Sequence, residues 1–206
     1  MFRRFLFALL VMAWLTVVVC GMAVVWSYNH RPGTAADPPK SWPAESHLPR
    51  TDGYLLVMLA HPKCPCTRAT VEELSQLMTH EQGRLTTVVL FVKPKGAPEN
   101  WNQTDLWHTA SLIPGVKVLN DEDGLEANLF DAKVSGQAML YDRNGTLKFQ
   151  GGITESRGQV GANTGLSAIE QIVNTGSSDT EQTVVFGCPL FDADECRTPN
   201  HATNNR

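Results

Sequence analysis

The chain predicts an α/β fold: a mixed sheet with helices on both faces, preceded by one N-terminal transmembrane helix. Three observations predict it. Phe5 to Trp26 holds 22 residues without a charged side chain. Beyond it, apolar runs of strand length alternate with helix-patterned segments from Tyr54 to Thr175. Near the end of that stretch, Gln137 to Gln150 reads as an antiparallel hairpin around Asn144-Gly145.

A bilayer core of about 30 Å needs about 20 apolar residues in a helix, so Phe5–Trp26 is long enough to span. A cleaved secretory signal has a shorter apolar core, and here the apolar residues continue past the small residues Gly21-Met22-Ala23. An uncleaved anchor is therefore expected over residues 1–29, with Cys20 buried in the membrane. Arg3, Arg4 and the amino terminus outweigh Arg31, which places the N-terminus in the cytoplasm and the rest of the chain outside. The expected address is a bacterial inner membrane, single-pass, with the C-terminal domain in the periplasm, where disulfides persist. The net charge of −4 is mild and forms no basic stripe, so nucleic acid is not an expected partner.

Residues 30–53 carry Pro32, Pro38, Pro39, Pro43 and Pro49 among polar neighbours and predict an extended linker. The folded domain is expected over 54–176. Within it, Tyr54–Ala60 is a continuous apolar run, as in a strand covered on both faces. Val71, Leu74, Leu77 and Met78 place a helix over 70–80, with Gly83 as its stop. Thr86–Val92 is a second buried strand. Asp105–Leu112 predicts a helix, Val116–Leu119 a short strand, and Asp123–Asp131 a helix. The hairpin strands are Gln137–Tyr141 and Leu147–Gln150. Leu166, Ile169, Ile172 and Val173 mark the last helix, closed by Gly176. The tail, 177–206, is polar except around Val184-Val185-Phe186 and Leu190-Phe191; those apolar residues flank Cys188 and predict that the tail packs back on the domain.

Cys64-Pro65-Cys66 carries the chemistry. It falls between the first strand and the first helix of the domain, at the carboxyl edge where open sheets of this class meet ligands. With Cys64 as N-cap and Pro65 as the first helical residue, the Cys64 sulfur would face the free amides of the first turn, which favours thiolate. Lys63 and Arg68 would add to that. Cys64 is the expected nucleophile and Cys66 the resolving thiol, with Thr67 positioned to donate to the Cys64 sulfur and His61 as a proton shuttle. Both sulfurs are expected within reach of solvent. A Cys64–Cys66 disulfide would close a tight ring and exchange readily. Cys188 and Cys196 bring the cysteines outside the membrane to four, which allows three pairings; Cys64–Cys66 with Cys188–Cys196 is the expected scheme, and a rival has Cys188 resolve a disulfide on Cys64 or Cys66. A second chemistry is open: His61, Cys64 and Cys66 form a soft donor set suited to copper(I) or zinc, which Cys188 could complete.

Several motifs fail. The glycine-rich stretch 151–165 lacks the order and lysine of a phosphate loop. Asn120–Asp131 misses the carboxylate spacing of a calcium loop. Trp101 and Trp107 read as core or rim packing.

These residues resemble the thioredoxin superfamily: the apolar strand, the Cys64-Pro65-Cys66-Thr67 turn with its helix, and the closing segment Gly136 to Gly145. Asp121 to Ala127 with Phe130 is similar to the branch holding peroxiredoxins and membrane-tethered cytochrome-maturation thioredoxins. More narrowly, His61 to Thr67, Gly151-Gly152-Ile153-Thr154 and Phe186 to Leu190 resemble bacterial membrane proteins labelled RedB. The likeness covers residues 54–190. It implies a thiol–disulfide oxidoreductase without a cofactor, whose partner is a redox protein or a low-molecular-weight disulfide. The chain departs from the superfamily at three places. One residue separates the cysteines where two are usual, Lys63 stands where a tryptophan often precedes them, and Ala138 stands where a cis-proline usually holds an extended substrate. A thiol peroxidase is the remaining alternative; the threonine its pattern needs three residues before the cysteine is replaced by His61.

Overall fold

The computed structural model describes residues 2–191. The chain divides into two compact units, 1–31 and 32–206. The first is one helix, α1 (Phe2–Asn29), apolar along nearly its whole length. Its 28 residues give a length of about 42 Å, long and apolar enough to cross a bilayer. A signal sequence near an N-terminus would meet the same description.

The second unit is built on a five-stranded sheet in the order β3-β2-β1-β4-β5. Its elements run β1 (Tyr54–Ala60), α2 (Thr67–His80), β2 (Leu85–Lys93), α3 (Asp105–Ser111), β3 (Val116–Glu122), α4 (Leu125–Leu129), β4 (Gln137–Tyr141), β5 (Leu147–Gly151) and α5 (Thr164–Thr175). β1, β2 and β3 are parallel, and the β4–β5 hairpin adds antiparallel to β1. A parallel β-α-β unit joined to an antiparallel hairpin and a closing helix, with the cysteines where β1 enters α2, is the thioredoxin-like arrangement.

β1 is apolar at every position because both of its faces are covered. Leu56, Met58 and Ala60 enter a core with Val71, Leu74 and Leu77 of α2, Leu106 of α3 and Ile169 and Ile172 of α5. Leu55, Val57 and Leu59 point the other way, into a core with Val88, Leu90, Met139, Tyr141, Ala127 and Phe130. The two-residue period of a strand sorts a featureless apolar run into two cores.

The helix over the second face, α4, is only five residues long. The proline-rich segment completes the cover. Its prolines keep it extended, but it is bonded to the domain along its length, where the composition predicts a spacer. Trp42 packs edge-on against Phe130 and Tyr141 at 5.1 and 5.2 Å, and Leu48 is buried in the same core. The Asp37 N–H donates to Asp131, the Tyr141 hydroxyl to the Pro39 carbonyl, and the Leu147 N–H to the Lys40 carbonyl. Buried Glu126 accepts from the Ser46 hydroxyl and the His47 N–H. Without this strap, Met139, Tyr141 and Phe130 would face water.

Element bounds differ from expectation mainly at ends. β3 runs on to Glu122, three residues past the expected Leu119, because Asn120, Asp121 and Glu122 continue the register with β2. α4 is shorter than the expected 123–131, since Asp123 and Gly124 take positive φ and end the extended backbone in a turn.

Candidate functional site

β1 ends at Ala60, and the turn through Pro62 and Lys63 delivers Cys64 to the carboxyl edge of the parallel strands. The cap of α2 is Cys66 and not Cys64. Cys66 itself has helical dihedrals and the Arg68 N–H reaches the Pro65 carbonyl, so the helical path starts at Pro65 but its regular bonding starts two residues later than the sequence predicts.

Thr67 and Ser135 fix the turn from below. Their hydroxyls are 2.6 Å apart and buried. The His61 N–H donates to Ser135 Oγ at 2.8 Å. Ser135 lies in the loop before β4, and its own N–H donates to the Cys188 carbonyl at 2.8 Å. The tail therefore returns across the site: Val134 and Pro189 form an antiparallel bridge, and the Leu190 N–H donates to the Lys133 carbonyl. Gly187 permits this approach, because a Cβ there would overlap the Ser135 carbonyl oxygen. Arg157, from the glycine-rich connection, donates to the Gly187 carbonyl at 2.7 Å. That connection is tied to α2 by buried Glu73, which accepts from the Gly161 N–H and Asn163 Nδ2.

The result is a cluster of three sulfurs. The Sγ atoms of Cys64, Cys66 and Cys188 all lie within 4.8 Å of one another. Cys64 and Cys66 are thiols in this structure. All three side chains are buried, with relative exposures of 2, 7 and 9%. The expectation that Cys64 and Cys66 are open to solvent is thus corrected: the tail segment lies over them. The expected partner of Cys188, Cys196, falls outside the described residues.

Burial costs a charged sulfur, yet the Cys64 thiol is held far below the ordinary thiol range. Hydrogen bonds from Cys188 and then Cys66 lead, and the Thr67 hydroxyl and the Cys188 backbone N–H add to them. Cys66 moves the other way. A hydrogen bond with Cys188 pulls it down, but the bond it shares with Cys64, burial and the neighbouring Cys64 charge outweigh that and the Arg157 contact, and push it up. One sulfur carries the charge and its neighbours act as donors.

His61 stands beside the cluster and not in it. Its Nδ1 accepts from the Lys63 N–H at 3.2 Å, and its ring meets Trp101 edge-on at 6.3 Å. Burial pushes the imidazole below its usual value; the Cys64 charge opposes this and Lys63 reinforces it. The Lys63 ammonium sits 3.9 Å from the centre of the Trp101 ring, so Trp101 forms the rim while Trp107 packs on Phe91 in the core. Ala138 lies fully buried inside β4, in register with Met58. Ser135 and Arg157 are the site residues that sequence reasoning missed, while Trp101 takes the rim position that the sequence allowed it.

No family profile and no curated protein matches the chain. Among solved structures, an uncharacterized conserved protein from Geobacillus kaustophilus is similar over 78% of this chain and 92% of its own, at 18% identity and a TM-score of 0.57. A hypothetical protein from Sinorhizobium meliloti is similar over 78% and 93%, at 20% identity and a TM-score of 0.57. A secreted Mycobacterium tuberculosis disulfide oxidoreductase homologous to E. coli DsbE is matched over 60% and 82%, at 16% identity and a TM-score of 0.43. At these identities the first two comparisons establish a shared fold.

Proposed function

We propose that this chain is a membrane-tethered thiol–disulfide oxidoreductase that works outside the cytoplasm through Cys64-Pro65-Cys66. One observation carries the reading: a cysteine beside the first turn of α2, surrounded by donors that favour its thiolate, with a second thiol in reach to resolve it. The Cys64 thiolate attacks one sulfur of a partner disulfide, and the partner's other sulfur leaves as thiolate. Cys66 loses its proton and attacks Cys64, releasing the second partner thiolate and leaving Cys64–Cys66 oxidised. The partner gains two electrons and the chain loses two; with the partner reduced at the outset, the same steps run backwards.

Because Cys64 is buried under the tail, exchange with a protein partner requires the segment 186–190 to lift from Ser135. A small disulfide needs less room. The anchor reading of α1, with its arginines in the cytoplasm and the domain in the periplasm, gives the site a compartment in which disulfides persist. The narrower likeness to RedB proteins belongs to the same reading.

The test is exchange between the detergent-solubilised full chain and a disulfide-linked fluorescent peptide. Cys64→Ser is expected to abolish exchange, and Cys66→Ser to accumulate a mixed disulfide visible by mass. If both variants exchange at the wild-type rate, the assignment fails.

A further inference from the structure

The same three sulfurs support a second chemistry that needs no oxidant. Three thiolates around one ion at about 2.3 Å would stand about 4.0 Å apart in a trigonal plane. The Sγ atoms of Cys64, Cys66 and Cys188, already within 4.8 Å of one another, need only small rotations to reach that. They are also held in place before any ion arrives. The Cys188 carbonyl is bonded to the Ser135 N–H, the Gly187 carbonyl to Arg157, and the Leu190 N–H to the Lys133 carbonyl.

The donor set selects the ion. Thiolates favour soft metals, which sets aside magnesium and calcium. Zinc takes four ligands in a tetrahedron. Among the described residues, no His, Asp or Glu joins the three cysteines, and the tail leaves little access for a water to serve as the fourth. His61, a donor in the set predicted from sequence, gives its Nδ1 to the Lys63 N–H, and neither of its ring nitrogens belongs to the cluster. Copper(I) is satisfied by three sulfurs. We propose that the reduced chain binds one copper(I) ion through the sulfurs of Cys64, Cys66 and Cys188. Binding displaces the protons still on the three sulfurs and changes no oxidation state. A copper(I) tris-thiolate has a net charge of −2, which the Arg157 guanidinium against Cys66 and the Thr67 hydroxyl and Cys188 backbone N–H beside Cys64 offset in part. A disulfide between any two of the sulfurs removes two ligands, so the oxidised chain does not bind.

This goes beyond the exchange reading, and its test uses no disulfide substrate, so either can fail alone. The full chain carrying Cys20→Ser and Cys196→Ser is reduced in detergent without oxygen and titrated with copper(I) held by a chromophoric chelator. One copper per chain with three sulfur neighbours by X-ray absorption is expected. Cys188→Ser should weaken binding by at least about tenfold, the size that even outer partners of metal ligands reach. His61→Ala should retain the affinity. No stoichiometric copper in the parent chain, two sulfur neighbours, wild-type affinity in Cys188→Ser, or an equal loss in His61→Ala would overturn the proposal. If Cys188→Ser fails to fold by circular dichroism, the sulfur count of the parent decides.

Discussion

Ser135 shows how much of the site hangs on one small side chain. Its hydroxyl accepts from the His61 N–H and pairs with the Thr67 hydroxyl, while its backbone holds Cys188. Ser135→Ala keeps the backbone bond and leaves the buried Thr67 hydroxyl and His61 N–H with a partner missing. Such a loss costs about 1–3 kcal/mol, and a urea midpoint unchanged from wild type would contradict it. The cysteines and Thr67 announce themselves in sequence because their chemistry is local. Ser135 does not, because its bonds to Thr67 and His61 span 68 and 74 residues and a serine before a strand has no distinctive spacing. His61 was legible as a neighbour of the thiols but not as an outsider to the cluster; that depends on where the turn through Pro62 and Lys63 sets its ring.

At the scale of elements, the tail and the strap do the positioning. Gly187→Ala forces the tail off the Ser135 carbonyl and should expose Cys64. Alkylation of Cys64 by iodoacetamide is expected to speed up about tenfold, equivalent to ~1.4 kcal/mol less for local opening; an unchanged rate would mean that the tail does not control access. The strap is tied down at Asp131, whose carboxyl is held below its ordinary 3.8 by Lys133 first, against the cost of burial and with the Asp37 N–H adding to the shift. A depressed acid stabilises the fold above its unfolded pKa and loses that contribution as pH falls through its folded pKa. The gap in urea midpoint between wild type and Asp131→Asn should therefore close as the solution is acidified below about pH 3.8. A gap that widens on acidification would show the sign to be wrong. The strands were readable because their apolar runs are long. The strap was not: proline-rich composition reports an extended path, and only the three-dimensional fold shows that Trp42 and Leu48 lie along it against the second core.

For the molecule as a whole, that packing moves the practical edge of the domain. The compact unit begins at residue 32, although the sheet begins at Tyr54. A chain starting at Pro32 is expected to melt as the parent domain does. One starting at Tyr54 strips Trp42 and Leu48 from the second core and should lose about 3–5 kcal/mol in urea unfolding, the scale of deleting large buried side chains. Equal stability of the two truncations would show the strap to be dispensable.

Parity governs how the sulfur cluster can oxidise. With Cys196 replaced by Ser, as in the copper titration, three sulfurs make one disulfide and leave one over, so every singly oxidised form of the Cys64, Cys66 and Cys188 trio keeps an unspent nucleophile beside the bond. The three possible pairings share one oxidation level and interconvert by exchange alone, without electrons from outside. A two-cysteine centre is silent once oxidised; this one retains a thiol able to shuffle its own bond.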